Sequence, residues 1–192
     1  MVRLREFDKE EALRAAMRVF WEKGFEAASL NDLTEAMAIQ RPSLYLAFGD
    51  KEQLFEQALR KYTQWHASNV REKLHSKSSV RDAFYSYFMG LVDESYQGES
   101  SPGCFCINAM VELAHRNQKF EIITREHQTY LAALFQEEIE RGIRSGELNK
   151  ENNAKALAQG LVVSLIGITV MLKAKPDRSF IENAVGTAIA LL

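Results

Sequence analysis

Residues 29–48 read SLNDLTEAMAIQRPSLYLAF, and the fold turns on how this stretch divides. Ser29 followed three residues later by Asp32 has the spacing of a capping box, in which two side chains satisfy free N–H groups at a helix start. Leu30 and Leu33 then fall on one face of a short helix. Ala38-Ile39-Gln40 interrupts it. Pro42 sits in the first turn of a second short helix, where its missing N–H costs little, and Leu44 and Phe48 recur four apart. With Ile39 in the turn and Thr34 small enough to sit where the helices approach, the stretch is a candidate helix-turn-helix. In such units the second helix enters the major groove of DNA and the first crosses the backbone.

The neighbouring sequence continues in helices. Asp8 and Glu11 cap a first helix whose Leu13, Ala16, Met17 and Phe20 recur at i, i+3, i+4, i+7, and Gly24 stops it, with Phe25 as the accompanying apolar contact. A fourth helix starts at Asp50, supported by Gln53, and runs to about Lys73. Beyond the polar break at 76–79, five more are expected at about 80–96, 104–116, 118–144, 151–173 and 178–191. Loops are expected at Gly98–Gly103, Ser145-Gly146 and Lys175-Pro176-Asp177. Sustained period-two alternation is absent. The fold class is therefore all-α, with nine helices: three at 1–49 that hold the candidate helix-turn-helix, a linking helix at 50–73, and a further bundle at 74–192, which by the family resemblance set out below would bind an effector and dimerise.

Bulk composition narrows the function. The chain has 192 residues and a net charge of −2, with a pI near 6.1. A protein that coats nucleic acid indiscriminately is strongly basic, and even the segment up to Lys51 holds eight basic against nine acidic residues. Any DNA contact must come from a few placed groups. Two cysteines two apart, Cys104 and Cys106, make no disulfide framework and suit a reducing compartment. The charged N-terminus shows no leader pattern. The longest apolar run, Leu161–Leu172, is about 12 residues and falls short of the ~20 needed to span a bilayer. A soluble cytoplasmic protein, without membrane association, is expected.

Gln40, Arg41, Ser43 and Tyr45 are left to face outward from the second short helix. Arg and Gln can bind guanine and adenine edges bidentately, and Ser or Tyr can donate to phosphate. A solvated helix surface would read the same way in isolation. Lys51 adds to the case. It opens a helix, where the macrodipole disfavours a cation, and becomes sensible if a phosphate lies over that terminus.

The pattern Phe20-x-x-x-Gly24-Phe25-x-x-x-Ser29-Leu30-x-x-Leu33, followed by Ser43-Leu44-Tyr45-x-x-Phe48-Gly49-Asp50-Lys51-Glu52-x-Leu54-Phe55, resembles the N-terminal domain of the TetR/AcrR family of transcriptional regulators. The resemblance spans about 7–60, and the phrase Gly103–Ala109 looks like a subgroup feature. It implies a nine-helix TetR-like architecture that binds double-stranded operator DNA as a homodimer, commonly a repressor released by a small-molecule effector. Gln40, Arg41, Pro42, Ser43 and Tyr45 fall on DNA-facing positions, Ser29 and Lys51 on phosphate-contacting ones, and Thr34 is counted with the DNA-binding set. Two features depart from the family pattern. Ala38 stands where a turn glycine is usual, which costs up to ~1 kcal/mol if its φ is positive. Leu46-Ala47 stands where large polar residues are usual, suggesting a different groove footprint or contact with thymine methyl groups.

Helix 151–173 is apolar nearly all round, which requires burial on most sides. The resemblance implies that with 178–191 it forms the dimer interface, Gly160, Ser164 and Gly167 permitting close approach; the alternative is a central core helix in a monomer. Trp65, Phe84, Phe88, Phe105, Asn108 and His127 are candidate effector-pocket residues, with His66 a further polar anchor, although an aromatic stripe is more often plain core. Cys104 and Cys106 near a helix start are candidate reactive thiols, against the commoner use of cysteine as a small hydrophobe. Glu112 and His115 have the i, i+3 spacing of some metal sites, but no cluster supports one, and neither metal nor cofactor is expected. No catalytic motif is present. The alternatives are a helical small-molecule or redox/electrophile sensor, or a helical enzyme with an unrecognised site.

Overall fold

In the computed structural model the described residues are 7–98 and 102–192; residues 99–101 of the expected loop and the first six residues lie outside them. Nine helices are present among the described residues: α1 (Lys9–Ala27), α2 (Leu30–Ala36), α3 (Arg41–Phe48), α4 (Lys51–His75), α5 (Val80–Gln97), α6 (Phe105–Leu113), α7 (Gln118–Ser145), α8 (Ala154–Leu172) and α9 (Arg178–Ala190). The all-α TetR-like fold expected from the sequence is what forms.

Local capping explains most of the boundaries. Asp8 accepts from the N–H groups of Glu10 and Glu11, Ser29 and Asp32 complete a reciprocal capping box, Ser79 accepts from Asp82 and Asn153 from Ala156. The last of these starts α8 at Ala154, later than expected, because residues 149–152 form a separate turn, closed by the Asn152 N–H on the Asn149 carbonyl, and Asn153 then caps the helix. Gly24 does not end α1 as the sequence suggested: it adopts φ +80° and kinks the helix, which resumes to Ala27, and a Cβ there would come within 2.9 Å of the Glu112 carboxylate.

The described residues divide into two compact units. One holds the chain up to Gln64 together with Cys104–Thr124; the other holds Trp65–Gly103 and Arg125–Leu192. This partition differs from the functional division drawn at residues 49 and 74, since α6 belongs to the first unit and α4 contributes to both. The first core centres on Phe55. Its ring makes edge contacts with Phe20 at 4.9 Å, Phe105 at 5.3 Å and Phe120 at 5.1 Å. Each such fully buried ring contributes ~1.5–3 kcal/mol by leaving water.

The second core gathers residues of α5, α7, α8 and α9, including Phe84, Phe88, Phe135, Leu165 and Val185. The apolar run counted from Leu161 is longer than the sequence suggested. Ser164 and Gly167 do not break it, and α8 is a 19-residue helix apolar enough by composition to cross a membrane. Its buried Ala158, Leu161, Leu165, Ile168 and Leu172 follow helical spacing and pack into the second core, as a core helix does.

Ala38 has φ +52°. It follows the end of α2 in a Schellman arrangement, with the Ala38 N–H donating to Glu35 and the Ile39 N–H to Thr34, each at 3.1 Å. An L-residue in this region is strained by ~1–2 kcal/mol, and glycine's extra unfolded freedom takes back ~0.4–1 kcal/mol. Ala38→Gly is therefore expected to stabilise the protein by about 0.5–1 kcal/mol, read as a higher urea midpoint with an unchanged denaturant slope.

Candidate nucleic-acid interface

The second helix of the helix-turn-helix is seated by its apolar face. Leu44 and Phe48 are buried in the first core with Leu33 of α2. A helix fixed on one side presents the other, and Gln40, Arg41, Pro42, Tyr45 and Leu46 are exposed, with Ser43 half-buried. Gly49 ends α3 with φ +82°, and its N–H donates to the Tyr45 carbonyl at 3.0 Å. The chain then enters α4, where Asp50 and Gln53 cap one another: each side chain accepts from the other's N–H, at 2.8 and 2.9 Å.

Arg41 does not hang free. Its Nη2 donates to Asn31 Oδ1 of α2 at 2.7 Å. Asn31 has no local sequence signature, lying ten residues earlier among polar neighbours, and sequence reasoning passed over it. The Ser29 hydroxyl donates to Asp32 at 2.7 Å, and that of Thr34 to the Leu30 carbonyl at 2.9 Å, so both serve the helix they belong to. Lys23 pairs with Asp32 at 2.6 Å. This ammonium, with the Ser29 hydrogen bonds, holds the Asp32 carboxyl far below the usual carboxylate range.

Lys51 has an internal reason for its place. Its Nζ lies 4.6 Å from the centre of the Phe25 ring and 3.4 Å from the Glu26 carbonyl oxygen. Ring face and carbonyl both attract a cation and offset the macrodipole penalty at the start of α4.

Glu112 is likewise accounted for by packing. Its two carboxylate oxygens accept from the N–H groups of Phe25 and Glu26 at 2.9 and 2.8 Å, capping the turn that resumes after the Gly24 kink. Glu112, whose spacing to His115 resembles that of a metal pair, thus latches α6 onto α1.

The candidate pocket residues are distributed over both units. Phe84 and Phe88 are fully buried in the second. Phe105 is buried in the first, against Phe55 and Tyr62. Asn108 is half-buried on α6 and Trp65 exposed on α4. His127 is buried in the second unit, its Nε2 3.1 Å from Nδ1 of His66. Of the thiols, Cys104 is half-buried at the N-cap of α6. Cys106 is buried, and burial pushes its thiol well above the ordinary range, as suits a small hydrophobe.

Comparison with known proteins matches this architecture. The model of the tetR family of bacterial regulatory proteins covers residues 12–58, and that of the tetracyclin repressor-like C-terminal domain covers 80–188. The chain is 30% identical over 193 residues to the uncharacterized HTH-type transcriptional regulator YezE of Bacillus subtilis (strain 168), covering 100% of both. It is 27% identical to the HTH-type transcriptional repressor ComR of Escherichia coli (strain K12), over 96% of this chain and 89% of the relative. Among solved structures, a cysteine mutant of the TetR family transcriptional regulator CifR, complexed with 26-bp double-strand operator DNA, superposes with a TM-score of 0.85 at 34% identity over 98% of each chain. The seated recognition helix and matches along both halves of the chain lead to one conclusion: this protein belongs to the TetR family of DNA-binding transcriptional regulators.

Proposed function

We infer that the protein is a homodimeric, cytoplasmic repressor that binds a near-palindromic operator and is released from it by a small-molecule effector. The observation that carries this reading is the outward face of α3, where Arg41, braced by Asn31, stands beside exposed Tyr45 on a helix whose opposite face is buried. Gln40, Arg41, Pro42, Ser43 and Tyr45 are assigned to the groove, Ser29 and Lys51 to the backbone beside it, and Thr34 to support of α2. Two such helices in a dimer engage successive major grooves about 34–36 Å apart.

The dimer contact is assigned to α8 and α9. Val163 is 70% exposed, Val170, Met171 and Phe180 are also exposed, and added Cβ atoms at Gly160, Gly167 and Gly186 would meet nothing within 4 Å. An apolar face with room for close helix approach favours a second copy of the same chain as its cover. That CifR is complexed with operator DNA and that ComR is a repressor support the same direction of action. The effector is assigned to the second unit, with His127 as an uncharged anchor.

The test is binding of the full-length protein to a duplex selected from a random library, against a scrambled duplex, across a salt series. Selective binding is expected, with affinity falling ~10³–10⁵-fold between 50 and 200 mM salt if six to ten phosphates are neutralised. Lys51→Glu is expected to weaken both duplexes alike and lower the salt slope by about two, one per subunit. Absence of any selected sequence would overturn the reading, and an effect of Lys51→Glu confined to one base position would remove Lys51 from the backbone contacts.

A further inference from the structure

The recognition helix carries a group that the polar contacts leave unused. Leu46 is 75% exposed, above every other large apolar side chain described as exposed in the chain. Nothing in the helix-turn-helix core needs it there, since Leu44 and Phe48 already bury the inner face of α3 and Ala47 packs partly against the same core. Helical spacing puts Leu46 on one ridge with Pro42, four residues earlier and also exposed, beside the ridge of Arg41 and Tyr45. The outer face of α3 is therefore half polar and half apolar. An unpaired leucine in the middle of a DNA-facing helix is unfavourable in water and gains from any contact that dries it.

We propose that Leu46 is a base-reading residue, packing in the major groove against the C5-methyl group of a thymine in each operator half-site. The major groove presents one apolar feature, the thymine methyl, and apolar side chains are its natural complement. The apolar ridge is continuous with the Arg41–Tyr45 ridge, so a helix placed to use one brings the other to the neighbouring base pair. The assignment rests on α3 entering the groove. It adds a sequence preference that Arg41 and Gln40 do not supply.

The experiment uses the full-length protein and the duplex it selects from a random library, with each thymine replaced singly by deoxyuridine, which removes only the methyl group. Wild type is expected to bind about three- to tenfold more weakly when one particular thymine of each half-site is replaced. Leu46→Ala is expected to weaken binding to the unmodified duplex by a similar factor and to be indifferent to that replacement. Because Leu46 is exposed, the variant is expected to keep the wild-type circular dichroism and melting temperature. If every thymine replacement weakens both proteins equally, or if Leu46→Ala binds as wild type while Arg41→Ala does not, Leu46 is not the reader and α3 still is. If Leu46→Ala and Arg41→Ala both bind as wild type, the placement of α3 in the groove fails, and this assignment with it.

Discussion

Arg41→Ala is expected to remove selective operator binding while leaving the dimer and the fold intact. A bidentate arginine contact with guanine discriminates by ~1–3 kcal/mol. A symmetric dimer makes it twice, so the loss is ~2–6 kcal/mol, roughly 30-fold to 10⁴-fold in affinity. Arg41 is exposed on α3 and touches the rest of the protein through Asn31, so little stability is at stake. Asn31→Ala is expected to act in the same direction and less strongly, because the guanidinium must then be ordered on binding, at ~0.5–1.5 kcal/mol per side chain. In an Arg41→Ala background the Asn31 substitution should have no further effect, the non-additivity expected of two residues in one contact. Fluorescence anisotropy on the selected duplex, with sedimentation to follow the dimer, measures all of this. Tighter binding by Asn31→Ala would mean that Asn31 holds Arg41 away from the groove, and loss of the dimer with Arg41→Ala would count against its assigned role.

Asn31 also marks the limit of what the sequence disclosed. Features set within one turn of helix were legible: the Ser29–Asp32 box, the Asp50–Gln53 cap, a break in helical geometry at Gly24, and Ala38 as a position that would be strained if its φ were positive. Each is a contact between residues two to four apart or a property of one backbone unit. Partnerships across the fold were not legible. Glu112 reaches Phe25 across 87 residues, and in the sequence its nearest suggestive neighbour was His115. The Phe25 ring and the Glu26 carbonyl that lie beside the Lys51 ammonium belong to a different helix, and nothing in the local sequence pointed to them. Aromatic spacing showed that Phe84, Phe88 and Phe105 face inward, but gave no sign that they enter separate cores.

The largest expected effect on stability comes from acid. His66 of α4 and His127 of α7 meet in the second unit, ring nitrogens 3.1 Å apart and rings at 63°. A hydrogen bond between them needs one protonated nitrogen and one bare one, so a proton on the acceptor nitrogen would set two N–H groups against each other. Burial, then the neighbouring imidazole and Lys73, lowers His66 to a pKa of about 3, and burial lowers His127 to about 4. Both folded-state values lie below the ordinary 6.5 of an unfolded histidine. Well above pH 6.5 neither state is charged and the pair has no pH dependence. As the pH falls below 6.5 the unfolded chain takes up protons that the folded pair refuses, and stability drops by up to ~1.4 kcal/mol per pH unit for each imidazole. Between pH 7 and 5 the loss reaches at most about 4 kcal/mol for the two together, a large share of the ~5–15 kcal/mol that holds a typical domain folded. Carboxyls such as Asp32, Glu56 and Glu147 are shifted downward and so withdraw their stabilisation at lower pH, outside this window. Urea unfolding at pH 7, 6 and 5 measures the effect. In the double variant His66→Asn/His127→Gln, amides stand in for the two facing nitrogens without titrating. Its stability is expected to be nearly flat relative to wild type over this range, whereas parallel profiles would show that the pair is not the source of the acid sensitivity.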